Sequence, residues 1–313
     1  MSTARDRAWL ALGLLLQGIV FAGSAAAAER GEPPSLIVFG IAASFVPYGV
    51  VLVFSRSLTG VPAPGLFAAA TTAALGAIWL LAPPVLSDDL YRYVWEGRLW
   101  LEGFNPYGIA PDDPSLAPLR DELWASINNK SLATVYPPLS QLLFAISAWL
   151  GGGIVTVKLL ALGGLVATVG WVARVTGEIR VALAIGANPL LSAESALNGH
   201  FDVLVGAAFF TVAWALSQHR FVRAGVAISF AVGLKVVGLV VLPLLWRRPK
   251  AWQRRLPRRF CSLHWCGLER RMIQLRGQAS SQHAGRETRV SSPSSIGSPA
   301  NSSQRAPPAS LRG

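Results

Sequence analysis

Apolar residues gather in runs of spanning or nearly spanning length at Trp9–Ala28, Leu36–Phe54 and Leu66–Ala82, and again over Leu139–Ala173, Val181–Leu191, Val203–Ser217 and Ala224–Trp246. Hydrocarbon offers no partner for backbone N–H and C=O groups, so each such run must pair its own as a helix. With 14% charged residues and a mean hydropathy of +0.44, the pattern excludes a soluble globular domain. It predicts an all-α fold, a polytopic transmembrane helical bundle of seven or eight segments. Several runs fall short of the roughly 20 residues of a full span, which predicts tilted, re-entrant or broken helices inside the bundle.

The formal charge of +12 invites a nucleic-acid partner, but its distribution argues against one. Residues 1–246 hold 14 basic and 14 acidic side chains, so the excess of 14 basic over 2 acidic groups lies entirely beyond them. Two domains follow: a transmembrane helical domain over 1–248 and an Arg/Ser/Pro-rich tail over 249–313. The tail has too few aliphatic residues to offset its ordering entropy, and is expected to be disordered. It reads either as a basic segment that touches anionic lipid or as an out-of-frame extension of a longer membrane-protein gene. Cys261 and Cys266 both lie there, and with His264 they are too closely spaced for a zinc site.

Arg5, Arg7 and Arg56 flank the first runs on one side, whereas Glu29, Arg30 and Glu32 lie between the first and second. Positive-inside bias puts the N-terminus in the cytoplasm of a cell whose inner, cytoplasmic membrane the chain crosses. The first run also resembles a cleavable signal peptide, and either reading delivers residues 83–137 to the outer face. Over Pro83 to Tyr136 the chain carries eight acidic and four basic residues, in keeping with that side. Between Ala224 and Trp246 two readings stand: one span, or a helical hairpin with its apex near Gly233 to Lys235.

The outer loop opens with Ser87-Asp88-Asp89, where serine suits an N-cap and the acids suit the positive end of a helix dipole. Asp89, Tyr93, Glu96 and Trp100 share one face of that helix, and its aromatic rings predict an amphipathic helix in the headgroup region. Gly103 is expected to end it, Asn105-Pro106-Tyr107-Gly108 to form a turn, Asp112 and Asp113 a solvated turn, and Tyr136-Pro137-Pro138 to open the next apolar helix.

Four segments in order, Ser87 to Gly97, Gly103-Phe104-Asn105-Pro106-Tyr107, Val135 to Gln141 and Asn198-Gly199-His200-Phe201-Asp202, resemble the bacterial multi-pass glycosyltransferases of the GT-C class. The polyprenyl-phosphate-mannose-dependent mannosyltransferases are the nearest in kind, and the resemblance spans about Leu66 to Trp246. It implies transfer of a sugar, mannose by the same resemblance, from a polyprenyl-phosphate donor to a lipid or glycan acceptor outside the membrane, usually with inversion. The donor's tail stays in the bilayer while its phosphosugar meets the outer loop.

A hydroxyl nucleophile needs a base, and a carboxylate at an interface beside a second carboxylate suits that role. Asp89 is the expected base, with Asp88 orienting it or touching the acceptor; the alternative is that the two merely cap a helix. Lys235, a cation in an apolar run, is assigned to the donor phosphate. Arg92 is a second phosphate contact or, equally, a helical partner of Glu96. His200 and Asp202 are assigned to sugar hydroxyls or phosphate, with Glu194 sharing their face, and a structural histidine is the alternative. Tyr136 and Asn105 are candidates to line the cleft. Adjacent aspartates on a helix diverge and make a poor chelate, so neither cofactor nor tightly held metal is expected, although some enzymes of this architecture use a divalent ion. Two other readings remain: a flippase for lipid-linked sugars, and an inactive, truncated transferase.

Overall fold

The computed structural model describes residues 4–58 and 63–241; the tail, with Cys261, His264 and Cys266, lies outside them. Among the described residues every regular element is helical. The chain opens with α1 (Ala4–Glu29), α2 (Pro34–Ala43), α3 (Phe45–Phe54) and α4 (Pro64–Ala77). After a short irregular stretch come α5 (Asp89–Leu101), α6 (Glu122–Ala125), α7 (Pro138–Trp149) and α8 (Ile154–Thr176). Then follow α9 (Ile179–Gly186), α10 (Pro189–Ser192), a π-helical turn (Ala193–Leu197), α11 (Asp202–Ser217) and α12 (Phe221–Leu234).

Among the described residues three helical stretches are long and apolar enough to cross a membrane: Ala4–Glu29, Pro34–Phe54 and Ile154–Thr176. Four more apolar helices, α4, α7, α11 and α12, are shorter; the lengths of their runs foretold this for α4 and α11, whereas α7 and α12 are short because longer runs are broken. The second stretch is jointed at Ser44. Pro47 has no N–H to offer the carbonyl four residues back, and its ring crowds that turn, so the helix resets there. The run Leu139–Ala173 divides into α7 and α8 at Gly151-Gly152-Gly153.

The run Ala224–Trp246 breaks at Lys235, whose backbone is extended, and a 3-10 turn over Val236–Val241 follows. That turn doubles back: a Cβ added at Gly238 would lie 2.6 Å from the Val232 nitrogen. The chain thus reverses near the apex that the hairpin reading gives, and residues 242–246 lie outside the described part.

The main apolar core joins α1 to α4 with α8 and α9 around Phe21, Ile37, Trp79, Leu165 and Leu183. Helix ends buried in it need partners for their last carbonyls. Gln17 donates to the carbonyl of Ala187 (2.6 Å) and the Tyr48 hydroxyl to that of Ala184 (2.6 Å), both at the end of α9. Lys158, fully buried on α8, donates to the carbonyls of Trp79 (3.4 Å) and Ala82, in the stretch that links α4 to α5.

A second core, of Leu90, Tyr93, Val94, Phe144, Val157, Ala161 and Phe201, lies under the acidic segment. The helix α5 is enclosed by protein on both sides. On one it meets α7 so closely that a Cβ at Gly97 would run into the carbonyl of Phe144. On the other, Trp95 and Leu99 pack with Leu116 and Ile127 of the outer loop. The loop thus has a small core of its own, tied down by Arg98 to Asp121 (2.6 Å) and by the Trp124 indole to the Pro111 carbonyl (2.8 Å).

Candidate active site

At the N-terminus of α5 the Ser87 hydroxyl accepts from the Asp89 amide (3.3 Å). Asp88 occupies the N-cap position without a side-chain bond to the helix. The carboxylates are therefore not consumed in capping. Each instead accepts, through Oδ1, from the same side-chain nitrogen of Asn128, at 2.7 Å for Asp88 and 2.9 Å for Asp89. Asp88 is exposed and Asp89 half-buried.

Behind the pair runs a chain of polar groups drawn from distant sequence. His200 Nε2 lies 3.2 Å from Ser87 Oγ, and its Nδ1 lies 2.6 Å from Glu194 Oε2. The π-helical turn widens the backbone at Glu194, and such turns recur at functional sites. Gly199 then reverses the chain in the left-handed region (φ +71°), where an added Cβ would strike Leu90 of α5. The His200 ring beside Glu194 holds that carboxyl below the ordinary carboxylate range, against the opposing effect of burial. Anionic Glu194 favours the tautomer with hydrogen on Nδ1, which leaves Nε2 to accept from Ser87.

A cleft open to solvent lies on the far side of Tyr136, a ring that lines it and interacts with Asp89. Its walls are aromatic: Tyr93 stacks on Phe144 (4.4 Å between centroids) and Tyr136 stands edge-on to both (5.1 and 5.4 Å). Phe201, Val205 and Leu234 complete the apolar lining. At one edge Lys235 Nζ meets Asp202 Oδ1 at 2.5 Å, with both side chains about half exposed. Burial above all, with the charge of Asp89 adding to it, raises the Tyr136 phenol well above its usual value. Burial likewise leads for Tyr93, followed by the effects of Tyr136 and Asp89. Both phenols stay protonated and can donate.

The fold thus brings together Asp88, Asp89, Tyr136, Asp202 and Lys235, with His200 joined to them through Ser87. Arg92 is elsewhere. Its guanidinium is buried and fully engaged by Glu96 (2.7 Å) and the carbonyls of Asn129 (3.2 Å) and Leu132 (2.6 Å). The helical-pair alternative therefore describes it better than a phosphate contact. Asn105 is spent in its turn, accepting from the Tyr107 amide (3.0 Å); it is Tyr107, through its hydroxyl on the Tyr136 carbonyl (2.9 Å), that reaches the cleft wall. His200, with both ring nitrogens engaged, serves as a support for Ser87 more than as a free ligand. Sequence reasoning missed Asn128, which sits in a polar stretch with nothing to single it out. It also missed Lys158, which a lone cation inside an apolar run does mark.

No three His, Cys, Asp or Glu side chains among the described residues are grouped as metal ligands would be. The carboxylates of Asp88 and Asp89 both accept from the Asn128 amide, and the Ser87 hydroxyl accepts from the Asp89 backbone N–H.

Fold and site together define a helical membrane protein with an acidic pair across Tyr136 from an aromatic cleft. Residues 34–248 match the family described as alpha-(1->6)-mannopyranosyltransferase, N-terminal domain, and the chain belongs to that family. It is 29% identical over 183 residues to alpha-(1->6)-mannopyranosyltransferase A of Corynebacterium glutamicum, a stretch covering 53% of this chain and 35% of that protein. The chain therefore spans about a third of the length of that relative. No solved structure matches it.

Proposed function

We propose that this chain forms the acceptor-activating part of a membrane mannosyltransferase that uses a polyprenyl-phosphate-linked sugar on the extracytoplasmic face of the cytoplasmic membrane. Asp89 takes the proton of an acceptor hydroxyl on a lipid or glycan as the oxygen attacks the anomeric carbon. The bond from that carbon to the phosphate oxygen breaks from the opposite side, so the configuration inverts. The electron pair leaves with the polyprenyl phosphate, whose growing charge Lys235 meets by turning from Asp202. The exposure of Lys235 gives it room for that exchange. The apolar walls of the cleft suit the start of an isoprenoid chain, and the protonated phenols of Tyr93 and Tyr136 suit sugar or phosphate oxygens.

The observation that carries this reading is the idle state of the acid pair: two carboxylates at a helix start that the helix does not use, across Tyr136 from a cleft with a cation on its edge. Family membership supports the sugar, and positive-inside bias supports the side.

The test is sugar transfer from polyprenyl-phosphate-mannose in vesicles, comparing wild type with Asp89→Asn. Loss of transfer in the variant is the expected result, and transfer that survives it removes the mechanism. Movement of the lipid-linked sugar without transfer would instead favour a flippase. No metal step is included, so chelation should leave the rate unchanged, and a loss rescued by magnesium or manganese would contradict that.

A further inference from the structure

We propose that Asn128 is the positioning residue of the acidic pair: its one side-chain amide, shared between Asp88 and Asp89, holds the two carboxylates side by side and leaves an oxygen of each for the substrate. The inference rests on the reading of Asp89 as the base, and reaches beyond it by assigning a role to the outer loop.

The geometry dictates which end of Asn128 faces the acids. A carbonyl oxygen there would oppose two anions, whereas the NH2 group has two hydrogens and can serve two acceptors, as the distances of 2.7 and 2.9 Å require. The choice of a neutral donor matters. A lysine or arginine at this point would pair with the carboxylates by charge; a neutral amide orients them without cancelling their charge.

Asn128 is itself held in place. Its neighbour Ile127 is buried in the loop's core. On the other side, the carbonyls of Asn129 and Leu132 are gripped by Arg92, which Glu96 fixes in turn. Asn129 adopts the left-handed region (φ +45°), which asparagine tolerates better than most residues. The buried network one turn into α5 thus sets the position of the amide that sets the acids.

Other titratable groups surround the pair without taking this role. Tyr93 and Tyr136 face Asp89 from the cleft, His200 and Glu194 lie behind Ser87, and Asp202 pairs with Lys235. Lys130 turns its ammonium to the Ala125 carbonyl (2.8 Å) and the Trp124 ring (5.0 Å).

The test compares the full chain with Asn128→Leu, Asn128→Gln and Asp89→Asn in the vesicle transfer assay across pH. Asn128→Leu should lower kcat about tenfold to a hundredfold near neutral pH, with little change in donor KM. Without the shared donor the two anions repel and turn apart, so its pH profile should change in shape as well as in height. Asn128→Gln, which keeps the NH2, should recover part of the rate. An equal loss at every pH with a lowered unfolding temperature would reveal a merely structural residue and overturn the proposal. If Asp89→Asn transfers normally, the base reading fails; if it is dead while Asn128→Leu matches wild type, the positioning claim alone fails. A readout without turnover decides the matter independently: carboxyl resonances of carbon-13-labelled aspartate, titrated in detergent. Those of Asp88 and Asp89 should shift in Asn128→Leu, and unchanged spectra would overturn the proposal.

Discussion

The first turn of α5 and the two turns after it carry the same kinds of side chain in opposite states of completion. Beyond the first turn, Arg92 and Glu96 are both buried, and every charged atom has partners. Glu96 accepts from Arg92 (2.7 Å), Thr134 (2.8 Å) and Gln141 (2.5 Å), and Gln141 in turn accepts from the Trp100 indole (2.8 Å). At the first turn the partners are fewer: Asp88 and Asp89 share the Asn128 amide, and the Tyr136 phenol stands against Asp89. A carboxylate with its lone pairs filled is part of the scaffold, and one with lone pairs to spare can do chemistry. Type and spacing alone do not separate the two; the partners do.

That contrast can be broken by substitution. The largest effect should come from Asp89→Asn, which should cut transfer by about 10²–10⁴-fold while leaving the unfolding temperature in detergent close to wild type. A matching collapse in stability would return Asp89 to the scaffold. Next comes Glu96→Ala, which strands the buried Arg92 and should cost about 3–5 kcal/mol of stability, read by thermal unfolding. Gly97→Ala should cost about 1–3 kcal/mol, because its Cβ would have to push α7 away at the Phe144 carbonyl. The smallest should be Asn105→Ala. That exposed side chain makes one turn bond, so stability should fall by about 1 kcal/mol or less and transfer should hold near wild type. A strong loss of transfer there would restore Asn105 to the cleft.

Much of the scaffold was legible in the sequence because it follows from local rules. Apolar runs gave the helices, Gly103 and the Asn105 turn gave the end of α5, and Pro137-Pro138 gave the start of α7. The acids at the head of α5 were legible for the same reason. The Asn128 bond spans about 40 residues and the Ser87 to His200 contact 113, so both depend on how the outer loop and α11 return to α5. Residue types do not encode such closures. The fate of Arg92 was hidden for another reason: two of its partners are backbone carbonyls, which every residue carries. Lys235 was recognisable as an anomalous charge, yet its partner Asp202 was not recognised as one, since the two lie 33 residues apart.

The most direct test of the account asks from which side the acid pair can be reached. Natural cysteines occur only at Cys261 and Cys266, so replacing both with serine and introducing Asp88→Cys gives a single thiol at an exposed position beside Asp89. A membrane-impermeant maleimide applied to intact cells stripped of their outer envelope should label it at once. Labelling that appears only after the membrane is permeabilised would put the pair on the wrong side of the bilayer for an extracytoplasmic sugar transfer and contradict the account.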